Sequence, residues 1–214
     1  SAAVEAPFLK IPQNVTASVA AAQTQIVEVK WEAVNGATAY GILRSETVGG
    51  NYEWIGAVTG TSYKDSKVTN GKVYYYKVYA ARSGANGSFN GECSDTAAVV
   101  IPHEAIKNVQ TGPGAGVHAV KITWDIVDGA TVYGVLRAES ENGAYTWVAA
   151  VSGGNYTDNN LTPGKTYYYK VYASIQWKGK WYNGACSAAA PGSMIDAAQN
   201  VKVESYQGNG LRVT

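Results

Sequence analysis

The sequence predicts an all-β chain built from successive copies of one antiparallel β-sandwich, and two observations carry that prediction. The first is an internal repeat: WEAVNGATAYGILRSETVGGNYEWIGAV from Trp31 lies over WDIVDGATVYGVLRAESENGAYTWVAAV from Trp124 at an offset of 93, and the register holds without a gap to Cys93 over Cys186. Of those 63 paired positions 31 are identical, so two homologous units of about 93 residues are present. The second is the kind of segment inside each unit. Short period-two stretches rich in Val, Tyr and Ile are separated by Gly, Asn and Asp turns, and no amphipathic helix of useful length competes.

Taken in order, QIVEVKW at 25–31 and VKITW at 120–124 alternate as half-buried strands whose Trp points into the core. An Asn-Gly or Asp-Gly turn follows, then a second alternating stretch in which Tyr40 and Ile42, or Tyr133 and Val135, share the buried face. After a Gly-containing turn come the aromatic strand YEWIGAV or YTWVAAV and the segment SYKD or NYTD. GKVYYYKVYA at 71–80 and GKTYYYKVYA at 164–173 are too short and too rich in Tyr and Val to prefer a helix. Alternation turns Tyr74, Tyr76, Val78 and Ala80 inward, with Tyr167, Tyr169, Val171 and Ala173 as their copies. Tyr75, Lys77 and Tyr79, with Tyr168, Lys170 and Tyr172, then form an outward stripe, read as cross-strand packing or a lateral contact surface. A last strand carries Cys93 or Cys186. About seven short strands per unit is the count of a two-sheet sandwich.

These residues resemble the fibronectin type III module, and more narrowly the tandem form of surface and secreted proteins of Gram-positive bacteria. The resemblance covers 11–194 as two complete modules. It implies tandem immunoglobulin-like antiparallel β-sandwiches in which the early Trp anchors the core and a Tyr closes a tyrosine corner. By position that Tyr is Tyr167 after Leu161, Pro163 and Gly164, and Tyr74 after Val68 and Gly71, with Asn70 in place of the Pro. The family is functionally diverse, so it names no ligand.

The ends extend the register. SAAVEAPFLKIPQNV at 1–15 aligns with SAAAPGSMIDAAQNV at 187–201, twice 93 residues away, and QNVKVESYQGNGLRVT reads like the opening of another unit. The expected organisation is a tail of a preceding repeat or linker at 1–10, module one at 11–103, module two at 104–194, and a linker with a truncated third repeat at 195–214. A segment cut from a longer array is the reading adopted, against a natural terminus with a short polar tail.

Charge and reactive residues narrow the function. A net charge of +1 with 17 scattered Lys and Arg lacks the footprint of a nucleic-acid binder, and no run of 18 apolar residues offers a membrane-spanning helix. The two cysteines are equivalent, one per unit, so neither unit staples itself, and buried free thiols are expected. His103 and His118 share no repeated position or metal spacing and read as surface or linker residues. Asp65 and Asp158 match in a turn where Asp satisfies backbone donors, and Glu46 and Glu139 match after the second strand. Neither pair meets the demand of glycosidic chemistry for two carboxyls across a cleft. GPGAG at 112–116 reads as a loop with no helix behind it, not a phosphate cradle, and the sequons at Asn14, Asn86 and Asn155 are cheap matches. No catalytic, cofactor or metal site is therefore expected.

Most aromatics repeat at the 93-residue interval, Trp31 with Trp124 and Trp54 with Trp147, and read as repeated packing residues. The exception is ASIQWKGKWYNGAC, against ARSGANGSFNGEC in the first unit. Trp177, Trp181 and Tyr182 stand around a Lys178-Gly179 turn with Lys180, so a hairpin would display two indoles near its tip. Three readings stay open: packing within the hairpin or at a module junction, a protein contact, or a glycan contact. The expected function is a non-catalytic extracellular spacer or adhesion module pair, secreted or attached to the bacterial surface, with carbohydrate binding by that hairpin as the alternative. The expected partners are neighbouring modules of the same chain and a surface protein or glycan. Nucleic acid and membrane insertion are not expected, and the chain is expected to be a monomer.

Overall fold

The computed structural model describes residues 8–20, 25–84, 87–116, 118–194, 203–206 and 210–213. Asn86 of the second sequon, most of the tail at 1–10 and most of 195–214 lie outside them. All regular structure among the described residues is strand: β1 (Thr16–Val19), β2 (Val27–Lys30), β3 (Ala39–Ser45), β4 (Glu53–Val58), β5 (Ser62–Asp65), β6 (Val73–Gly84), β7 (Gly87–Cys93) and β8 (Ala97–Val100). The same series then repeats as β9 (Gln110–Pro113), β10 (Val120–Thr123), β11 (Val132–Ala138), β12 (Thr146–Val151), β13 (Asn155–Asp158), β14 (Thr166–Trp177), β15 (Lys180–Asn183) and β16 (Ala190–Ser193). A last pair, β17 (Val203–Tyr206) and β18 (Gly210–Val213), is antiparallel.

The first series forms a three-stranded sheet β1-β2-β5 and a second sheet β4-β3-β6-β7, in which β8 also pairs with β6. The repeat reproduces both, as β9-β10-β13 and β12-β11-β14-β15 with β16 on β14. Two sheets each with one apolar face must bury those faces against each other. The two compact units are residues 1–104 with 128–130 and 174–184, and the remainder.

The core of the first sandwich follows the alternation. Val27, Val29, Tyr40, Ile42, Tyr74, Tyr76, Val78 and Ala80 are buried around Trp31, whose ring centroid lies 5.3 Å from that of Tyr40. Trp124 and Tyr133 repeat the contact at 5.6 Å. The Tyr hydroxyls find partners, as buried polar tips must. The Val34 N–H donates to Tyr40 Oη at 2.7 Å and Val127 to Tyr133 Oη at 2.7 Å. Both tyrosine corners form: Thr69 N–H donates to Tyr74 Oη at 2.9 Å and Thr162 N–H to Tyr167 Oη at 3.2 Å. Asn70 in place of Pro leaves the first corner intact.

Four expectations change. Cys93 and Cys186 are free but exposed. Cys93 pairs with Tyr79, an outward position of β6, and the inward place falls to the next residue: Ser94 is buried, donating its N–H to the Val78 carbonyl and accepting the Val78 N–H on Oγ at 3.0 Å. Ser187 does the same for Val171 at 3.0 Å. His103 is buried instead of superficial, packed where a side chain on Gly71 would stand, with Nε2 lacking a partner. Gly112 and Pro113 belong to β9, so the GPGAG segment is partly strand. The last change concerns the indoles of Trp54 and Trp147, which are 61% and 60% exposed and are not packing residues.

Candidate functional site

The hairpin β14–β15 closes on Lys178 and Gly179, at φ 49° and 75°. Two consecutive positive-φ residues make the tight two-residue connection that suits strand twist, and Gly179 takes that conformation without steric cost. The ladder pairs Trp177 with Lys180, Gln176 with Trp181, Ile175 with Tyr182 and Ser174 with Asn183. Facing residues share a side of the hairpin, so the register separates the two indoles. Trp177, Lys180 and Tyr182 fall on one side and Trp181 on the other.

The two sides differ in what they offer. Within the compact unit that takes in residues 174–184, Trp177 donates its Nε1–H to Tyr75 Oη at 3.3 Å, and the rings meet edge-on at 6.5 Å. Tyr182 packs edge-on against Trp177 at 6.4 Å. Lys178 Nζ stands 4.7 Å from the Trp177 ring centre and Lys180 Nζ 5.2 Å from that of Tyr182. That side is a packed aromatic and cationic cluster. Trp181 is 47% exposed. In the first unit, Tyr182 corresponds to Phe89, itself 51% exposed beside a cavity of about 680 Å³ that Leu9, Arg82 and Glu92 also line. Phe89 was legible as an aromatic in a variable hairpin.

The carboxylates repeated along the chain are committed elsewhere. Asp65 accepts from Arg44 Nη1 at 2.8 Å and Tyr76 Oη at 2.9 Å, and its other oxygen from the Lys67 N–H at 2.9 Å. Asp158 holds Arg137 at 2.9 Å and Tyr169 at 3.0 Å. Burial is the largest single effect on Arg44 and works against its charge, but the hydrogen bond to Asp65, the Asp65 charge and the neighbouring phenols together outweigh it and raise the guanidinium pKa, and Arg137 is raised in the same way beside Asp158. Burial first, then the Asp65 charge, pushes Tyr76 far above the usual phenol range, and Tyr169 beside Asp158 follows. A carboxylate held by a guanidinium and a phenol that does not ionise are structural groups. Glu46 and Glu139 pair at the surface with Lys72 at 2.8 Å and Lys165 at 2.6 Å. Among the described residues no three His, Cys, Asp or Glu gather as a metal site. The partnership of Arg44 with Asp65 escaped the sequence reading, although both residues recur 93 positions on as Arg137 and Asp158.

Beside Trp54 lies a cavity of about 400 Å³ lined by Arg44, Glu53, Tyr63, Lys64 and Lys67 among others. Trp54 faces Leu43 across a register shift between Ile42 and Leu43, and Trp147 faces Leu136 across the equivalent shift between Val135 and Leu136. An extra residue in one strand bends it and re-aims its side chains, and both edge strands do this at the same place.

No protein-family model matches the chain. Segments of two bacterial amylopullulanases are similar to it: 41% identity over 80 residues in Thermoanaerobacterium saccharolyticum and 40% over 81 residues in Thermoanaerobacter thermohydrosulfuricus. Each match covers 37% of this chain and 6% of the relative, so the chain spans only a small part of those enzymes. Among solved structures, an Fn3-like protein from Clostridium thermocellum is 30% identical, covering 44% of this chain and 92% of that protein, with a TM-score of 0.38. A two-domain fibronectin type III segment of chicken tenascin superposes at a TM-score of 0.50 with 14% identity, covering 81% of this chain and 97% of that one.

Proposed function

From the premise that this chain belongs to the fibronectin type III-like family, we propose that it is a non-catalytic extracellular module pair, a spacer and adhesion element of a longer multimodular bacterial protein. The observation that carries the reading is the commitment of every repeated carboxylate to a structural partner: Asp65 and Asp158 to buried Arg and Tyr, Glu46 and Glu139 to surface Lys. What the repeat preserves is a set of groups that hold a sandwich together. The similarity to small segments of amylopullulanases supports a parent that is secreted and acts on polysaccharide, with its catalytic machinery in other parts of the polypeptide. Tethering such machinery near an insoluble substrate raises its local concentration there without new chemistry.

The test is deletion of these modules from the parent protein. The expected result is unchanged turnover of a small soluble substrate with reduced activity on particulate substrate. Loss of turnover on both would place the modules in the catalytic machinery and overturn the reading.

A second reading is favoured by one observation, the exposure of Trp181 on the far side of the β14–β15 hairpin from the Trp177–Tyr182 cluster. A hairpin contact built on Trp181, supported from the other side by Trp177 and Tyr182 with Lys178 and Lys180 held over those rings, suits a glycan or a protein surface. Trp181→Ala should then weaken that contact more than Trp177→Ala at equal stability.

A further inference from the structure

The geometry points to a second kind of binding position, one in each repeat: the exposed indoles of Trp54 and Trp147 as stacking platforms for the pyranose rings of a neutral polysaccharide. A spacer needs no such surface, so the inference goes beyond that role, and it is independent of the hairpin around Trp181.

Three observations carry it. First, the fold gives these rings nothing to do. Trp31 and Trp124 fill the cores and the Trp177 indole is hydrogen-bonded, whereas neither the Trp54 nor the Trp147 indole makes a hydrogen bond or ring contact with another described side chain. Leaving a large apolar ring in water forfeits the free energy that burying it would supply. Yet the ring persists in both repeats, with the same exposure, although about half of the paired positions differ. Second, the backbone aims them. The register shift beside each ring lies in the same place in β4 and in β12.

Third, the surroundings identify the ligand class. In the first repeat Glu53, Lys64 and Lys67 line the cavity beside Trp54. Their counterparts 93 residues on are Thr146, Thr157 and Asn160. Charge is lost at these three positions while the capacity to exchange hydrogen bonds is kept and the indole does not change; the charges that do persist there, Arg44 with Asp65 and Arg137 with Asp158, neutralise each other in salt bridges. A phosphate or a charged peptide would need the charge pattern to persist. A neutral ligand rich in hydroxyls needs only donors and acceptors around a flat apolar face, and a pyranose ring presents such a face of axial C–H groups with hydroxyls at its edge. Two equivalent positions on one chain suit a polymer, since the second engagement is intramolecular.

The experiment is affinity electrophoresis and titration of the intact chain with amylopectin, pullulan and mannan as neutral probes and alginate as a charged one. Trp54→Ala, Trp147→Ala, the double variant and Trp181→Ala are run beside the wild type. The expected result is retardation of the wild type by at least one neutral polymer and a roughly tenfold loss in each of the first two variants. In the double variant binding falls below detection, because avidity is lost with the second position. Trp181→Ala reports the hairpin contact separately, and the losses in the Trp54 and Trp147 variants should appear whatever its own effect. Since both rings are exposed, thermal unfolding of all variants should match the wild type, so lost binding is not lost fold. Wild-type behaviour of the double variant, loss of binding in Trp181→Ala alone, retardation by alginate only, or a wild type that no polymer retards would each overturn the inference. The last outcome leaves the spacer role standing.

Discussion

The ring of Tyr79 lies over Gly41 across the β3–β6 ladder, where a Cβ on Gly41 would overlap it, and Tyr172 covers Gly134 in the same way in the second repeat. The outward stripe is thereby explained as cross-strand packing at these positions, with Lys77 held 4.9 Å from the Tyr52 ring centre and Lys170 4.3 Å from that of Tyr145. A glycine inside a strand costs backbone entropy, and an aromatic ring laid across it recovers buried area.

Gly41→Ala should therefore destabilise the first sandwich by about 1–3 kcal/mol, the usual cost of forcing extra volume into a packed contact. Because the two residues touch, the double variant Gly41→Ala with Tyr79→Ala should cost less than the sum of the single ones. Chemical denaturation of the four proteins in the cycle checks this, and strict additivity would contradict the contact.

Asp65 joins β5 to β3 and β6 through Arg44 and Tyr76, and its side chain is 3% exposed while that of Arg44 is 18%. Asp65→Asn leaves the guanidinium without its countercharge, and a loss of about 2–4 kcal/mol is expected, somewhat below the range for a fully buried pair because Arg44 reaches solvent. Tyr76→Phe removes one hydrogen bond to the carboxylate and should cost about 1–2 kcal/mol. Urea midpoints of both variants test the ranking, and an Asp65→Asn protein milder than Tyr76→Phe would refute it.

His103 gives the fold a pH dependence with a defined sign. Burial lowers its pKa from 6.5, against the pull of the Gly129 backbone and the Asp128 charge. The unfolded chain then binds a proton that the folded chain refuses as the pH falls below about 6.5. The stability contributed by neutral His103 is complete above that value and is lost as the pH falls through the folded pKa. His103→Gln should flatten the fall between pH 7.5 and 5.5, measured as the difference in Tm between variant and wild type. A parallel pair of curves would show that His103 is not responsible.

Cys93 and Cys186 should both react with a bulky maleimide under native conditions, two labels per chain counted by mass spectrometry, with no lag for unfolding. Protection of either thiol until denaturant is added would restore the expectation of buried cysteines.

Within a strand, the alternation of residue types was enough to orient side chains. Tyr74, Tyr76, Val78 and Ala80 turn inward as the pattern requires, because successive side chains of a strand point to opposite faces. It fails at strand ends and bulges, where the count shifts by one. Cys93 and Ser94 are neighbours, both recur in the second repeat, and only the pairing of Cys93 with Tyr79 decides that the serine goes in and the thiol out. The same limit applies to the candidate sites. Trp177 and Trp181 were legible as a hairpin pair, but the β14–β15 register sends them to opposite sides.

What the sequence by itself determined is the repeat, the strand periodicity, the family and the core, because these depend on local pattern and on comparison of one half of the chain with the other. What only the tertiary structure decided is which repeated residues are scaffold and which are surface. Trp31 and Trp54 recur with equal fidelity, yet one is sealed between two sheets and the other stands 61% exposed beside a bulge. Repetition records that a residue is kept, whereas burial depends on register, on bulges and on which face another sheet covers, and those are properties of the assembled chain.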